Sequence, residues 1–64
     1  MALGIKKRRE EKGISQYDLA ASVGMTQSQI SKIESGKRNV KANELLQIAQ
    51  ALDSTVEELF LAEK

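Results

Sequence analysis

Apolar side chains recur at three- and four-residue spacing along this chain, and glycines at positions 4, 13, 24 and 36 divide the pattern into short segments. This spacing is typical of amphipathic helices that each bury one stripe. Alternating apolar and polar residues, which would indicate a half-buried strand, are absent from the sequence. With 64 residues, the chain is therefore expected to form one small all-α domain over residues 1–64, a compact five-helix bundle.

The expected helix ends follow from local signals. A serine or threonine followed three positions later by an acid or a glutamine is the capping box that opens a helix, and it occurs at Ser15, Thr26 and Thr55. A glycine after the last apolar residue closes a helix, because it adopts the left-handed conformation without penalty. These signals predict helices over about residues 3–12, 16–23, 27–35, 42–52 and 55–62. The expected inward residues of the second and fourth helices are Leu19, Ala20, Val23, Leu45, Ile48, Ala49 and Leu52.

Composition excludes several classes of function. The chain has no cysteine and no histidine, so disulfides, the common zinc frameworks and the usual nucleophile–base pairs of enzymes are not available. We therefore expect no catalysis, no metal and no cofactor. The sequence also lacks a long apolar run and an export leader, which argues against a membrane location and favours the cytoplasm.

Charge is distributed unevenly along the chain. Residues 1–41 carry nine Lys/Arg and four Asp/Glu, a balance of +5, whereas residues 42–64 carry one lysine and five acids, a balance of −4. The basic part contains the second and third predicted helices. It is interpreted either as a solvated surface or as a side that faces phosphates.

The third predicted helix has two different faces. At 100° per residue, Thr26, Ile30, Ile33 and Glu34 fall on one side, and the opposite side holds neither an acid nor an apolar residue. Amides, hydroxyls and a lysine suit base edges in the DNA major groove, although any exposed helix face is polar. The residues expected to contact bases are Gln27, Ser28, Ser31 and Lys32.

Other polar residues flank this helix. Gln16 lies in the first turn of the second helix, where its amide and free backbone N–H groups suit a phosphate, unless it is a solvated capping residue, which its position alone favours. A basic loop follows the third helix and would hold the DNA backbone beside the groove, unless it is simply solvated. The residues expected to contact phosphates are Gln16, Ser35, Lys37, Arg38, Asn39 and Lys41.

Two charged residues fall on faces that should be buried. Arg9 shares the stripe of Ile5 in the first helix, and Glu34 shares the buried arc of Ile30. Because buried charges are costly unless they are paired, we expect an Arg9–Glu34 ion pair that locks the first helix to the third. The alternative is that both side chains extend outward to water.

With these residues identified, the chain resembles the lambda-repressor-like, Cro-type (XRE) helix-turn-helix family over about residues 3–61. The resemblance rests on Ser15, Gln16, Leu19, Ala20, Val23, Gly24 and the run Ile30-Ser31-Lys32-Ile33-Glu34-Ser35-Gly36-Lys37-Arg38. It implies five helices, a helix-turn-helix over about residues 16–35, and the same base, phosphate and ion-pair roles for the matching positions. The chain departs from the family at Asn39-Val40-Lys41, where Asn-Pro-Ser is common, and at Ser54, where an aliphatic residue is usual.

The expected function is that of a sequence-specific regulator of transcription, with repression as the expected direction, which binds double-stranded DNA. Family members usually bind as two-fold dimers. In so short a chain, the expected dimer contacts lie in the fifth helix, at Val56, Leu59, Phe60 and Leu61, unless that helix only closes the domain. The acidic end could contact RNA polymerase. The alternative function is an antitoxin or controller-type module whose main partner is another protein.

Overall fold

The computed structural model describes residues 4–61, with side chains described through Leu59. These residues form five helices and no strand, which confirms the all-helical prediction. The helices are α1 (Ile5–Glu11), α2 (Gln16–Val23), α3 (Gln27–Glu34), α4 (Ala42–Ala51) and α5 (Val56–Leu61). Within residues 4–61, none of the helices combines the length and the apolar character that crossing a bilayer requires.

One hydrophobic core joins all five helices. Its buried side chains are Ile5, Leu19, Ala20, Ile30, Ile33, Leu45, Ile48, Ala49, Leu52 and Leu59. Val23, expected in the buried stripe of α2, is only half-buried and packs at the edge of this core. The stripes of α2 and α4 are otherwise as expected, because helical periodicity by itself selects the inward face.

The two ends of the described chain meet at the core. The backbone N–H of Gly4 donates to the carbonyl oxygen of Leu59 at 2.9 Å, and Ile5 and Leu59 are both fully buried. Arg8 adds a side-chain contact, since its Nε donates to Ser54 Oγ at 2.7 Å. Ser54, the unusual polar residue before α5, therefore ties that turn to α1.

Side chains close the starts of four helices. Thr26 and Gln29 form a complete capping box at α3, with bonds of 3.1 and 2.9 Å, and Thr55 with Glu58 does so at α5, with two bonds of 3.0 Å. At α2, Ser15 Oγ accepts the N–H of Asp18 at 3.0 Å. Each such cap contributes about 1 kcal/mol. At α4 the usual cap residue is absent, and Glu44 accepts the N–H of Lys41 at 3.0 Å instead.

A sharp turn sets α3 against α2. Gly24 has φ +70°, and the next N–H, from Met25, donates to the carbonyl oxygen of Ala20 at 2.9 Å. A Cβ on Gly24 would meet no atom within 4 Å, so the cost of a side chain there lies in the left-handed backbone rather than in crowding. Ala20 of α2 is buried in the core, where a larger side chain would have to displace its neighbours.

Candidate nucleic-acid interface

Helix α3 is anchored by one face and presents the other to solvent. Ile30 and Ile33 are buried in the core, and Glu34 is buried beside them. The four residues expected to contact bases are all exposed, and among the described residues their side chains take no hydrogen-bond partner: Gln27, Ser28, Ser31 and Lys32. The tertiary structure thus brings these four together on one surface. The acid of α3, Glu34, is buried at the edge of that surface, next to Ser31.

The ion pair expected between α1 and α3 is present. Arg9 Nε and Nη2 donate to the two carboxylate oxygens of Glu34 at 2.7 and 3.1 Å, and Arg9 Nη1 donates to the carbonyl oxygen of Ile14 at 2.7 Å. Only 10% of the Arg9 side chain and 3% of the Glu34 side chain are exposed. The hydrogen bond to Glu34 raises the pKa of the Arg9 guanidinium above its ordinary value, so Arg9 stays protonated.

Gln16 extends this network towards the surface. Its Nε2 donates to Glu34 Oε1 at 3.0 Å, so the side chain is half-buried and its orientation is held by the ion pair. Gln16 also lines a shallow surface depression of about 170 Å³, together with Lys6, Ser31, Glu34 and Ser35. The depression gathers one residue of α1, one of α2 and the last turn of α3.

Of the residues that line this depression, Ser35 was predicted from the sequence as a site residue and Lys6 was not. Ser35, expected at a phosphate, is exposed, and its hydroxyl donates to the carbonyl oxygen of Lys32 at 3.2 Å. Lys6 was not predicted as a site residue. It belongs to a run of four basic residues, and nothing in the sequence distinguishes it from Lys7.

The basic loop after α3 contains one residue that is already paired. Arg38 donates from Nη1 and Nη2 to the two carboxylate oxygens of Glu44, each at 3.0 Å. The basic pattern of the loop predicted a phosphate contact for Arg38, and nothing in that pattern indicated Glu44 as its partner. The other expected phosphate contacts of the loop are exposed: Lys37, Asn39 and Lys41.

Glu44 was missed by the sequence analysis, although an acid three residues after the residue that precedes a helix is a known capping signal. The hydrogen bond from Arg38, followed by that from the backbone N–H of Lys41, lowers the pKa of the Glu44 carboxyl to about 2. The same pairing raises the pKa of Arg38. Glu44 therefore connects the loop to the start of α4 and remains ionised at neutral pH.

The expected dimer contacts on α5 need one correction. Leu59 is fully buried in the core of its own chain, so its side chain is not available to a second copy. Val56 is half-buried and packs against the same core. The side chains of Phe60 and Leu61, the other two residues of the prediction, lie outside the described residues.

Comparison with known sequences gives two matches. A family model described as helix-turn-helix matches residues 5–59. The uncharacterized HTH-type transcriptional regulator y4dJ of Sinorhizobium fredii is 41% identical over 44 residues, which are 69% of this chain and 57% of that protein. This chain thus spans little more than half the length of that relative.

Solved structures share the fold. The restriction-modification controller protein C.AhdI of Aeromonas hydrophila has a TM-score of 0.84 at 39% identity, over 88% of this chain and 85% of its own. SinR, a master regulator for biofilm formation solved in complex with DNA, has a TM-score of 0.80 at 36% identity, over 86% and 89%. ClgR of Corynebacterium glutamicum reaches 0.90 at 22% identity, over 92% of this chain and 63% of its own, a likeness of fold alone.

Proposed function

This chain belongs to the lambda-repressor-like helix-turn-helix family of transcriptional regulators, and from that premise we propose that it binds double-stranded DNA sequence-specifically, with α3 in the major groove. Gln27, Ser28, Ser31 and Lys32 would then contact bases. Gln16, Ser35, Lys37, Asn39 and Lys41 would contact phosphates.

The observation that carries this proposal is the exposed face of α3. Its amide, hydroxyl and ammonium groups have no partner among the described residues, and the buried face of the same helix is fixed by Ile30, Ile33 and the Arg9–Glu34 pair. A rigid helix with unused donors and acceptors is what base reading requires, because a mobile side chain discriminates poorly between base edges. SinR, similar in fold and sequence, is solved in complex with DNA.

We further propose that the protein acts as a two-fold dimer on a palindromic site, because one small domain buries little interface and half-sites about one helical turn apart suit a dimer. The dimer contact is assigned to the outer side of α5, where Val56 keeps part of its surface exposed. We propose repression as the direction of regulation, because a dimer bound to its DNA site excludes other proteins from that site. Sedimentation over a range of concentrations tests the dimer, and a monomer at every concentration contradicts it.

The decisive experiment is selection of binding sites from a randomised duplex library at one near-physiological salt concentration. Enrichment of a two-fold symmetric site supports the proposal and gives the half-site spacing. Bulk, salt-sensitive binding without enrichment contradicts sequence-specific function. It favours instead a module whose main partner is another protein; SinR, similar in fold and sequence, is also solved in complex with the protein SinI.

Base reading by Gln27 is tested on the enriched duplex. Gln27→Ala should weaken binding by about 1–3 kcal/mol and relax the preference at one base pair, because a bidentate amide contact is lost. Competition with duplexes substituted at each position measures both effects. An equal loss on random duplex would mean that Gln27 contacts the backbone instead.

A further inference from the structure

The depression beside α3 is lined by one cation, one carboxylate and three neutral polar residues. Its volume is about 170 Å³, and its lining comes from α1, α2 and the end of α3 with the residue that follows it. Lys6 provides one positive charge, and Gln16 provides a neutral donor. We propose that this depression seats one phosphate of the DNA backbone and that Lys6 is its principal contact. This inference rests on the proposed DNA-binding function.

Glu34 also lines the depression, and a bare carboxylate there would repel a phosphate. Both of its oxygens are, however, engaged by Arg9 at 2.7 and 3.1 Å, and Oε1 also accepts from Gln16. The Arg9–Glu34 pair is therefore neutral as a unit. The charges of Arg9 and Glu34 cancel, so the positive charge of Lys6 is the net charge of the lining and Arg9 together.

Gln16 is suited to a bridging role in this depression. One hydrogen of its Nε2 is used by Glu34, which fixes the amide plane, and the second hydrogen remains for an anion. The buried pair thus orients a donor that reaches the surface. A glutamine without that anchor would have to lose rotamer freedom on binding.

The position of the depression along α3 also suits a phosphate contact when α3 lies in the major groove. Gln27, Ser31 and Ser35 are spaced by four residues, so they form one row along the exposed face of α3. The row begins at a predicted base contact and ends in the depression. Because the sugar–phosphate strands border the groove, the flank of a helix lying in the groove faces a phosphate.

Lys7 provides a matched control. It is the next residue of α1, it is exposed and it carries the same charge, but it does not line the depression. Lys6→Ala and Lys7→Ala therefore change the net charge equally. Only Lys6→Ala removes the proposed contact.

The first measurement is the salt dependence of binding to the randomised duplex pool, after thermal melts have shown that both variants fold. Lys6→Ala should make the plot of log K against log salt shallower by about 0.9, so that a fourfold rise in salt lowers the affinity of the variant about 3.5-fold less than that of the wild type. Lys7→Ala should retain the wild-type slope. Equal slopes for the two variants would overturn the proposed phosphate contact in the depression while leaving DNA binding intact.

The second measurement replaces single phosphates of the selected duplex by neutral methylphosphonates. One position should weaken wild-type binding but should not weaken Lys6→Ala any further, because the variant no longer uses that phosphate. If the two losses are additive at every position, Lys6 has no phosphate partner and the inference fails. A wild-type chain that binds no duplex overturns the proposed function and this inference together.

Discussion

The Arg9–Glu34 and Arg38–Glu44 pairs use the same chemistry in different surroundings. Both join two guanidinium nitrogens to two carboxylate oxygens, at 2.7 and 3.1 Å in the first pair and at 3.0 Å twice in the second. The side chains of Arg9 and Glu34 are 10% and 3% exposed, whereas those of Arg38 and Glu44 are 26% and 17% exposed. The first pair joins α1 to α3, and the second joins Arg38 of the loop after α3 to Glu44, six residues later, in the first turn of α4.

The two pairs differ in how much hydration their charged groups have lost, and therefore in the cost of removing one partner. A buried pair has lost its hydration, so removal of one partner leaves a charge in a low-dielectric site, at a cost of about 3–5 kcal/mol. A partly exposed pair exchanges its contact for water, and its loss costs about 1 kcal/mol or less. The Arg9–Glu34 pair is thus part of the fold, and the Arg38–Glu44 pair chiefly orders the loop beside the candidate interface.

The largest expected effect is on stability. Arg9→Met should lower the free energy of unfolding by about 3–5 kcal/mol, because Glu34 would stay buried without its partner. Arg38→Met should lower it by about 1 kcal/mol or less. Urea denaturation at low temperature measures both, since a domain of this size has little stability to lose.

A double variant separates pairing from packing. Arg9→Met combined with Glu34→Leu should recover most of the loss, because no buried charge remains. If Arg9→Met and Arg38→Met proved equally mild, the contrast drawn between the two pairs would be wrong.

A second prediction concerns DNA affinity. Lys37→Ala should flatten the salt dependence of duplex binding by about 0.9 in the log–log slope, because it removes one exposed cation. The double variant Arg38→Ala/Glu44→Gln removes a neutral pair and should leave the slope at the wild-type value. Fluorescence titration of the duplex pool at several salt concentrations measures both.

The same experiment tests the phosphate contact that the sequence predicted for Arg38. If the double variant flattens the slope as much as Lys37→Ala does, Arg38 leaves Glu44 on binding and contacts a phosphate.

The smallest expected effect is a dependence on pH. The pKa of Glu44 is lowered from 4.5 to about 2, so the stability that its ionised form provides is complete above about pH 4.5 and is lost as the pH falls towards 2. Wild type should exceed Glu44→Gln by about 1 kcal/mol at neutral pH, given how exposed the pair is. Urea titrations of both proteins from neutral to acid pH should show this difference vanish. A difference that stays constant with pH would assign it to packing.

Much of the fold could be predicted from local sequence, because the deciding interactions are short-range. Thr26 and Gln29 are three residues apart and close the same helix turn, so their pairing needs no tertiary information. The Arg9–Glu34 pair was predictable for another reason, since periodicity placed both charges on inward faces where only a partner could satisfy them.

Where several residues compete for one role, the sequence was insufficient. Leu59, Phe60 and Leu61 are consecutive, and helical spacing does not say which of them faces the core; the packing of α5 assigns Leu59. Arg38 reads as one more exposed cation until the loop brings Glu44 within reach. Lys6 differs from Lys7 only after α1 has docked against α2 and α3.

The sequence by itself determined the five helices, the acid-free face of α3 and the need for a buried ion pair, because helical periodicity and capping act within a few residues. Only the tertiary structure decided which cations remain available for DNA phosphates and which are already paired with a carboxylate. That distinction depends on distances between helices and loops, which local rules do not contain.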